Sequence, residues 1–306
     1  IKNITAKVND KDNQLVENNV SNNDILKLYY NDEEIQSIPI HIFNNEYFDD
    51  ENFYNAVVDA YNEKNNENLP YTTNLTDEQL KTITEISYNG YDKEDSEKIN
   101  STKGIEKLTS LTELYLVNNN LNGIDLSKNT ELTSLVLSQN NLSNIDLSKN
   151  IELTSLNLGF YGGTPSQGNS NRLRTIDLSN NIKLQRLSLS SNLLREIDLS
   201  KNTELTDLDL NHNNLHSIDL SKNTSLSSLV LNHNFLRYID LSKNTELTDL
   251  DLSVNNLSNI DLSKNTSLTY LRLSSNNLNS IDLSKNTELT SLYLDESPGV
   301  NSQNLL

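Results

Sequence analysis

The 306 residues contain no cysteine, no methionine and no tryptophan. Without cysteine there is no disulfide framework and no thiol nucleophile, which suits a secreted chain that folds without disulfides and a reduced cytosol equally. A chain without methionine, even at its first position, is expected to have lost its N-terminus to processing or cloning. Long apolar runs are missing too. None approaches the ~20 residues a membrane-spanning helix needs, and no basic, apolar leader is visible. Positive charge is scarce: 24 lysines and arginines face 43 aspartates and glutamates, giving a net charge of −19 and a pI of about 4.5. That balance argues against nucleic acid and anionic membrane as partners, because phosphates need a basic footprint. Hydrophobic residues make up only 34%. With such a charge this would mark a disordered chain, were it not for a strong internal periodicity.

Catalytic signatures are absent as well. No G-x-S-x-G, H-E-x-x-H or P-loop occurs, and no carboxylate pair falls in an evident pocket. No enzymatic activity, cofactor or metal is expected. In the stretch 9–24 the D-x-D spacing lacks the glycine and closing glutamate of a calcium loop.

What is present is a repeat. The phrase IDLSKNTEL stands at 124–132 and returns at 197–205, 239–247 and 281–289, with near copies between. Its isoleucine recurs at 124, 145, 176, 197, 218, 239, 260 and 281, a step of 21 residues broken once by a step of 31. A fixed period in this range marks a solenoid, and LTSLVLSQNNLSNIDLSKNIE (132–152) fits the leucine-rich repeat core L-x-x-L-x-L-x-x-N-x-L. Leu132, Leu135 and Leu137 frame a short strand, while Leu142, Ile145 and Leu147 point inward from the rest of the coil. One coil cannot bury this set alone, but stacked coils share a continuous core. Asn140, with equivalents from Asn119 to Asn276, places an amide inward, where it can donate to and accept from the tight turn.

Nine strands are expected, from 111–116 to 289–294, about 4.8 Å apart. The phrase IDLSKNTEL is then the return leg on the convex side: three inward apolar residues and a polar turn, S-K-N-T. At 21 residues per coil a full helix does not fit there, and extended or 3-10 turns are expected. The aspartate column (Asp125 to Asp282) and the lysine column (Lys128 to Lys285) read as exposed ladders that offset each other's repulsion. A charged lattice for a repetitive cell-wall polymer is the alternative.

Units of the form L-T-x-L-x-L-S-x-N-x-L-x-x-I-D-L-S-K-N-T resemble the repeats of bacterial internalin-type surface proteins. The segment before the repeats extends the resemblance. FDDENFYNAVVDAYN (48–62) reads as a helix with Phe53, Ala56, Val57, Ala60 and Tyr61 on one face and Asp50 as N-cap. Thr76 and Gln79 give a capping box ahead of LKTITEI, where Leu80, Ile83 and Ile86 continue the face. KGIEKLTSLTELYLVNNNL (103–121) leads into the first coil. The resemblance spans 46–306. It implies a helical cap over 46–104, a leucine-rich repeat domain over 105–306, and a secreted or wall-attached setting in a Gram-positive bacterium.

The fold it implies is a leucine-rich repeat solenoid: a right-handed, β-solenoid-like horseshoe with a parallel sheet on the concave face and a small α-helical N-terminal cap. Some members carry a cysteine in the second strand-leucine column, where this chain has Leu137, Leu210, Leu231 and Leu252. No immunoglobulin-like domain or wall-sorting signal is visible. The pattern stops at Ser297 and Pro298, at a C-terminal cap or before further protein. Residues 1–45 stand apart, with ILKLYYNDEEIQSIPIHI reading as a β-hairpin after a linker.

Function is expected where the repeat does not repeat, at the strand positions facing outward beside the central leucine. Three features stand out there. Asp207, Asp209, Asp249 and Asp251 form an acidic patch, with Arg272 one strand from Asp251. Equivalent residues two strands apart are about 10 Å apart, too far for one metal to bridge. Tyr115, Tyr270 and Tyr293 are interface anchors by type. His212 and His233 fall in one column and would stack, with His216 too far round to complete a metal site. The 31-residue step inserts 159–168, which carries Phe160 and Tyr161. The expected function is that of a monomeric, adhesin-like module, secreted or at the cell surface. It would recognise a protein or glycan of a host cell or matrix and serve in virulence. A structural spacer without a concave ligand is the alternative.

Overall fold

The computed structural model describes residues 45–160 and 170–294 throughout and, between 4 and 39, the backbone of four strands. Tyr161, the rest of the insertion to 168, and Ser297 with Pro298 lie outside the described residues. The chain divides after Asp49 into two compact units. In the first, β1 (Ile4–Val8), β2 (Lys11–Asp12), β3 (Ile25–Tyr30) and β4 (Glu33–Pro39) make an antiparallel sheet in the order β2-β1-β3-β4. The pairing β3–β4 runs from Ile25 opposite Pro39 to Tyr30 opposite Glu33, with a register shift after Leu28.

The second unit opens on α1, Glu51–Asn65. Asp50 caps it: one carboxylate oxygen accepts the Phe53 N–H at 2.9 Å, and the other accepts the amides of Asn100 and Ser101 at 2.7 and 3.2 Å. One cap thus satisfies orphan donors of the helix and fixes the 98–101 segment against it. Phe53, Tyr54, Ala56, Val57, Val58 and Tyr61 are buried. The capping box of Thr76 and Gln79 forms, but its helix, α2, lasts only Asp77–Leu80. The expected continuation of a helical face to Ile86 is corrected. Thr82, Ile83, Thr84 and Ile86 are β-branched and resist the helical turn, and Glu85–Asn89 becomes strand β5.

That strand brings the parallel sheet to ten where nine were expected. It pairs with β6 (Glu113–Val117), setting Ile86 beside Leu114. Then follow β7 (Ser134–Val136), β8 (Ser155–Asn157), β9 (Arg186–Ser188), β10 (Asp207–Asp209), β11 (Ser228–Val230), β12 (Asp249–Asp251), β13 (Tyr270–Arg272) and β14 (Ser291–Tyr293). All run in register, with Leu187, Leu208, Leu229, Leu250 and Leu271 side by side and 0–2% exposed. The cap therefore covers the end of the core with a strand as well as a helix. At the other end Leu292 is 37% exposed, because no coil stacks beyond it among the described residues.

Three polar ladders hold coil to coil. Just before each strand from β6 to β14 except β9, where Gln185 stands, a hydroxyl reaches the preceding coil's carbonyl, as Thr133 Oγ1 does to Thr112 at 3.2 Å and Thr269 to Thr248 at 3.2 Å. After strands β6 to β13 the ladder asparagine works as expected and also spans coils. Asn213 Nδ2 donates to Leu189 O of the previous coil at 2.9 Å and to Leu210 O at 3.1 Å, while its Oδ1 accepts the Leu194 N–H at 3.0 Å. The third ladder was not foreseen. Asn129, Asn150, Asn181, Asn202, Asn223, Asn244, Asn265 and Asn286, the N of S-K-N-T, are 0–3% exposed. Asn223 Nδ2 donates to Leu199 O and Asn202 O of the coil before at 3.0 and 2.9 Å. The Oδ1 of each of these eight has no protein partner among the described residues.

The return leg is extended and then closes in i→i+3 bonds, such as Asn223 N–H to Leu220 O at 3.0 Å. Its leucine is fully inward in every coil but the last, where Leu283 is half-buried, and its isoleucine is half-buried in most coils rather than inward, with Ile239 at 4% the buried case. The aspartate column is corrected too. Among the described residues no ladder lysine lies in ion-pairing reach of a ladder aspartate. Each carboxylate instead accepts the N–H of the serine two residues on at 2.9 Å, as Asp198 does from Ser200. Hydrogen bonds from that serine hold the Asp198 carboxyl below the ordinary range, and the Lys201 charge adds less.

A binding face on the parallel sheet

The outward side chains of β6 to β11, with Phe160 as a wall, line an open hollow of about 750 Å³. Tyr115, Phe160, Asp207 and Asp209, singled out from sequence, all lie in it, and Arg186 joins them. Its floor is otherwise small and neutral: Ser134, Val136, Ser155, Asn157, Ser188, Ser228 and Val230. Each position is fixed by the register: Asp207 stands between Arg186 and Ser228, and Asp209 between Ser188 and Val230.

Phe160 owes its place to the break in the repeat. Its N–H donates to Ser190 Oγ at 3.1 Å, and Ser190 Oγ donates back to its carbonyl at 3.1 Å. Gly159 makes this approach possible. A Cβ there would stand 2.3 Å from Ser190 Oγ and 2.7 Å from Ser190 N, so any side chain forces the two segments apart.

Two of the expected contact residues are held from within. The Tyr115 hydroxyl donates to a Glu113 carboxylate oxygen and lies 3.2 Å from Ser134 Oγ; burial, then the bond to Glu113, raises its pKa. Asp209 accepts the Asn211 N–H at 3.0 Å and is approached by the Ser188 hydroxyl at 3.4 Å. Burial nonetheless pushes its carboxyl above the ordinary value. Ser138 and Ser190, the next outward positions after Val136 and Ser188, are less exposed than the alternation predicts, at 1% and 0%, since the chain turns inward there.

The remaining candidates gather outside the hollow, on β12 to β14. Arg272 pairs with Asp251 at 3.7 Å and lies over the Tyr293 ring at 5.0 Å. Tyr270 meets Tyr293 at 5.7 Å between centroids, and Tyr293 is 41% exposed. Asp249 accepts the Thr248 hydroxyl at 2.7 Å. The acidic patch is thus split by Ser228 and Val230 into two pairs rather than gathered. Among the described residues no group of three metal-ligating side chains exists. The rings of His212 and His233 stack at 3.9 Å and 12°; burial, then the neighbouring His233, lowers the His212 pKa.

Sequence reasoning set Arg186 among the outward-facing positions but did not single it out, because a lone cation in a serine-rich strand carries no signal until β10 is set beside it. It also missed an exposed group on the turn after the strands, where Phe235 is 47% and Tyr238 62% exposed. These replace the usual small polar residues of the repeat, a departure visible in the sequence.

The stacked coils, the asparagine ladders and the variable outer sheet face define a leucine-rich repeat protein. No protein-family model and no curated protein matches the chain, but solved structures do. The functional domain of InlJ from Listeria monocytogenes, which includes a cysteine ladder, is 34% identical over 79% of this chain and 54% of its own, with a TM-score of 0.62. Internalin C2 from the same organism is 21% identical over 80% of this chain and 93% of its own, at 0.54. A plant peptide hormone receptor in complex with RGF2 is 24% identical over 72% of this chain and 40% of its own, at 0.55. The chain is a leucine-rich repeat protein similar to the internalins, and it spans about half the length of the InlJ domain. Where that domain includes a cysteine ladder, this core is built of leucine. No described helix is long and apolar enough to cross a membrane.

Proposed function

We propose that this chain is a bacterial cell-surface or secreted binding module, adhesin-like, that grips a protein or glycan of a host cell or matrix on the outer face of its sheet. The hollow walled by Phe160 carries this reading. It is lined by the positions that vary from coil to coil, on a frame that otherwise repeats, which is the division a recognition surface requires. The plant receptor among the similar structures, solved in complex with RGF2, supports binding as a use of this fold. The arrangement offers hydrogen-bonding groups of both kinds, an aromatic wall and a cation beside carboxylates, and no acid–base pair poised on a reacting atom.

The test is a panel of extracellular-matrix proteins, cell-surface proteins and glycans, probed with wild type and with a Phe160→Ala/Arg186→Ala variant. A ligand held by wild type and weakened at least about tenfold in the variant supports the reading. Absence of any ligand, or equal binding by the variant, would favour a structural spacer.

A further inference from the structure

Four of the six arginines lie outside the sheet face, on the turn that follows the strands. Arg174, Arg195, His216 and Arg237 occupy one column over four successive coils, and all four are exposed. Coil-to-coil bonds fix this edge in register: Leu193 N–H to Leu173 O, Asn214 to Leu194 and Phe235 to Leu215, at 2.8–2.9 Å. In the coils before and after, the column holds Asn122, Ser143, Ser258 and Asn279, so the basic run is bounded at both ends. Arg172 lies two residues before Arg174 and is exposed too. Among the described residues no carboxylate pairs with any of these arginines.

Aromatic surface interrupts the row. Phe235 stacks on His216 at 5.5 Å and 24°. It separates two shallow hollows, one of about 370 Å³ lined by Arg195, Asn214, His216 and Phe235, the other of about 340 Å³ reaching His212, His233 and Val254. Tyr238 stands beside it. In a chain of net charge −19, this edge gathers cations and flat apolar surface.

We propose that this edge is a second binding site, distinct from the sheet face, for a linear polysaccharide bearing sulfate or carboxylate groups. Arg174 and Arg195 stand one coil apart, about 4.8 Å, the step of the stacked strands, which is about the length of one sugar ring, and Arg237 follows two coils on. Phe235 and His216 offer faces against which a pyranose packs, while the arginines take its anionic substituents bidentately. The neighbouring aspartates sharpen the choice. In each coil of the row the ladder carboxylate follows three residues on (Asp177, Asp198, Asp219, Asp240). A duplex nucleic acid, with a charge every ~1.7 Å of its axis, meets repulsion from that rail along its whole length and offers Phe235 and His216 no pyranose face.

Heparin is the probe, with its desulfated form, polyglutamate and single-stranded DNA as comparisons. Wild type should bind heparin with an affinity that falls steeply as salt rises. R174E/R195E/R237E should lose about tenfold or more, and R174Q/R195Q/R237Q should lose less, both with wild-type urea midpoints. F235A should weaken binding while leaving the salt slope unchanged. The proposal is overturned if heparin does not bind at low salt, if the charge reversals bind equally well, or if DNA or polyglutamate binds as tightly as heparin. The Phe160→Ala/Arg186→Ala variant should bind heparin as wild type does, which keeps this result independent of the sheet-face reading.

Discussion

Asparagine does two jobs in each coil, and only one was legible in advance. The ladder after the strand follows the consensus spacing and could be read as inward. The N of S-K-N-T sits among serine, lysine and threonine, so its surroundings read as solvent. Only the stacked coils show its amide donating to two carbonyls of the coil before. Asn223→Ala is therefore expected to cost about 1–3 kcal/mol, while Lys222→Ala one residue earlier stays within about 0.5 kcal/mol; urea unfolding of both variants decides. Just before the asparagine that closes each strand sits a residue with φ near +55° in most coils, and at Val254 (φ 55°) it is β-branched. Left-handed backbone costs a non-glycine residue about 1–2 kcal/mol, least for asparagine. Val254→Asn should raise the urea midpoint at unchanged m-value; a lower midpoint would count against strain there.

Elements show where pattern misleads. The capping box at Thr76 was read correctly, yet the chain after it makes one helical turn and then a strand, because β-branched residues and the open edge of β6 outweigh the cap. The insertion shows the reverse: its length was plain from the count, but that Phe160 walls the hollow depended on Gly159 and Ser190 meeting. Gly159→Val should displace that wall, lowering affinity for whatever the sheet face binds by at least about tenfold while β8 and its neighbours stay folded, as circular dichroism would report. The turn of the return leg is an element held by charge. Each ladder aspartate has its pKa lowered in the fold by the serine two residues on. The stability it contributes is therefore present above the unfolded value of about 4 and is lost as pH falls through the lower folded one. Asp198→Asn, Asp219→Asn and Asp240→Asn together should flatten the acid limb of stability against pH. Asp209 has the opposite sign, raised by burial. Its charge opposes folding increasingly as pH rises past the unfolded value, so Asp209→Asn should stabilise the chain at neutral pH.

At the scale of the whole molecule, repetition and function separate. The period in the sequence carried the solenoid, the parallel register and nearly all of the core, because every inward position recurs and one coil predicts the next. What the period cannot carry is the face made by residues that differ. Asp209, Tyr115 and Arg272 were each visible as exceptions, but their bonds to Ser188, Glu113 and Asp251 depend on which strands lie adjacent and how deeply each side chain sits. IDLSKNTEL, the most frequent phrase, is thus frame: its leucines and asparagine join coil to coil, and its aspartate and serine close the turn. The direct test is one affinity comparison on the ligand the panel identifies, between Phe160→Ala/Arg186→Ala and a variant with Lys201→Ala, Lys222→Ala and Lys243→Ala on the return leg. The first should bind at least about tenfold more weakly with an unchanged urea midpoint, and the second should bind as wild type does. Loss of binding in the lysine variant with the sheet-face variant unaffected would contradict the division between frame and working face.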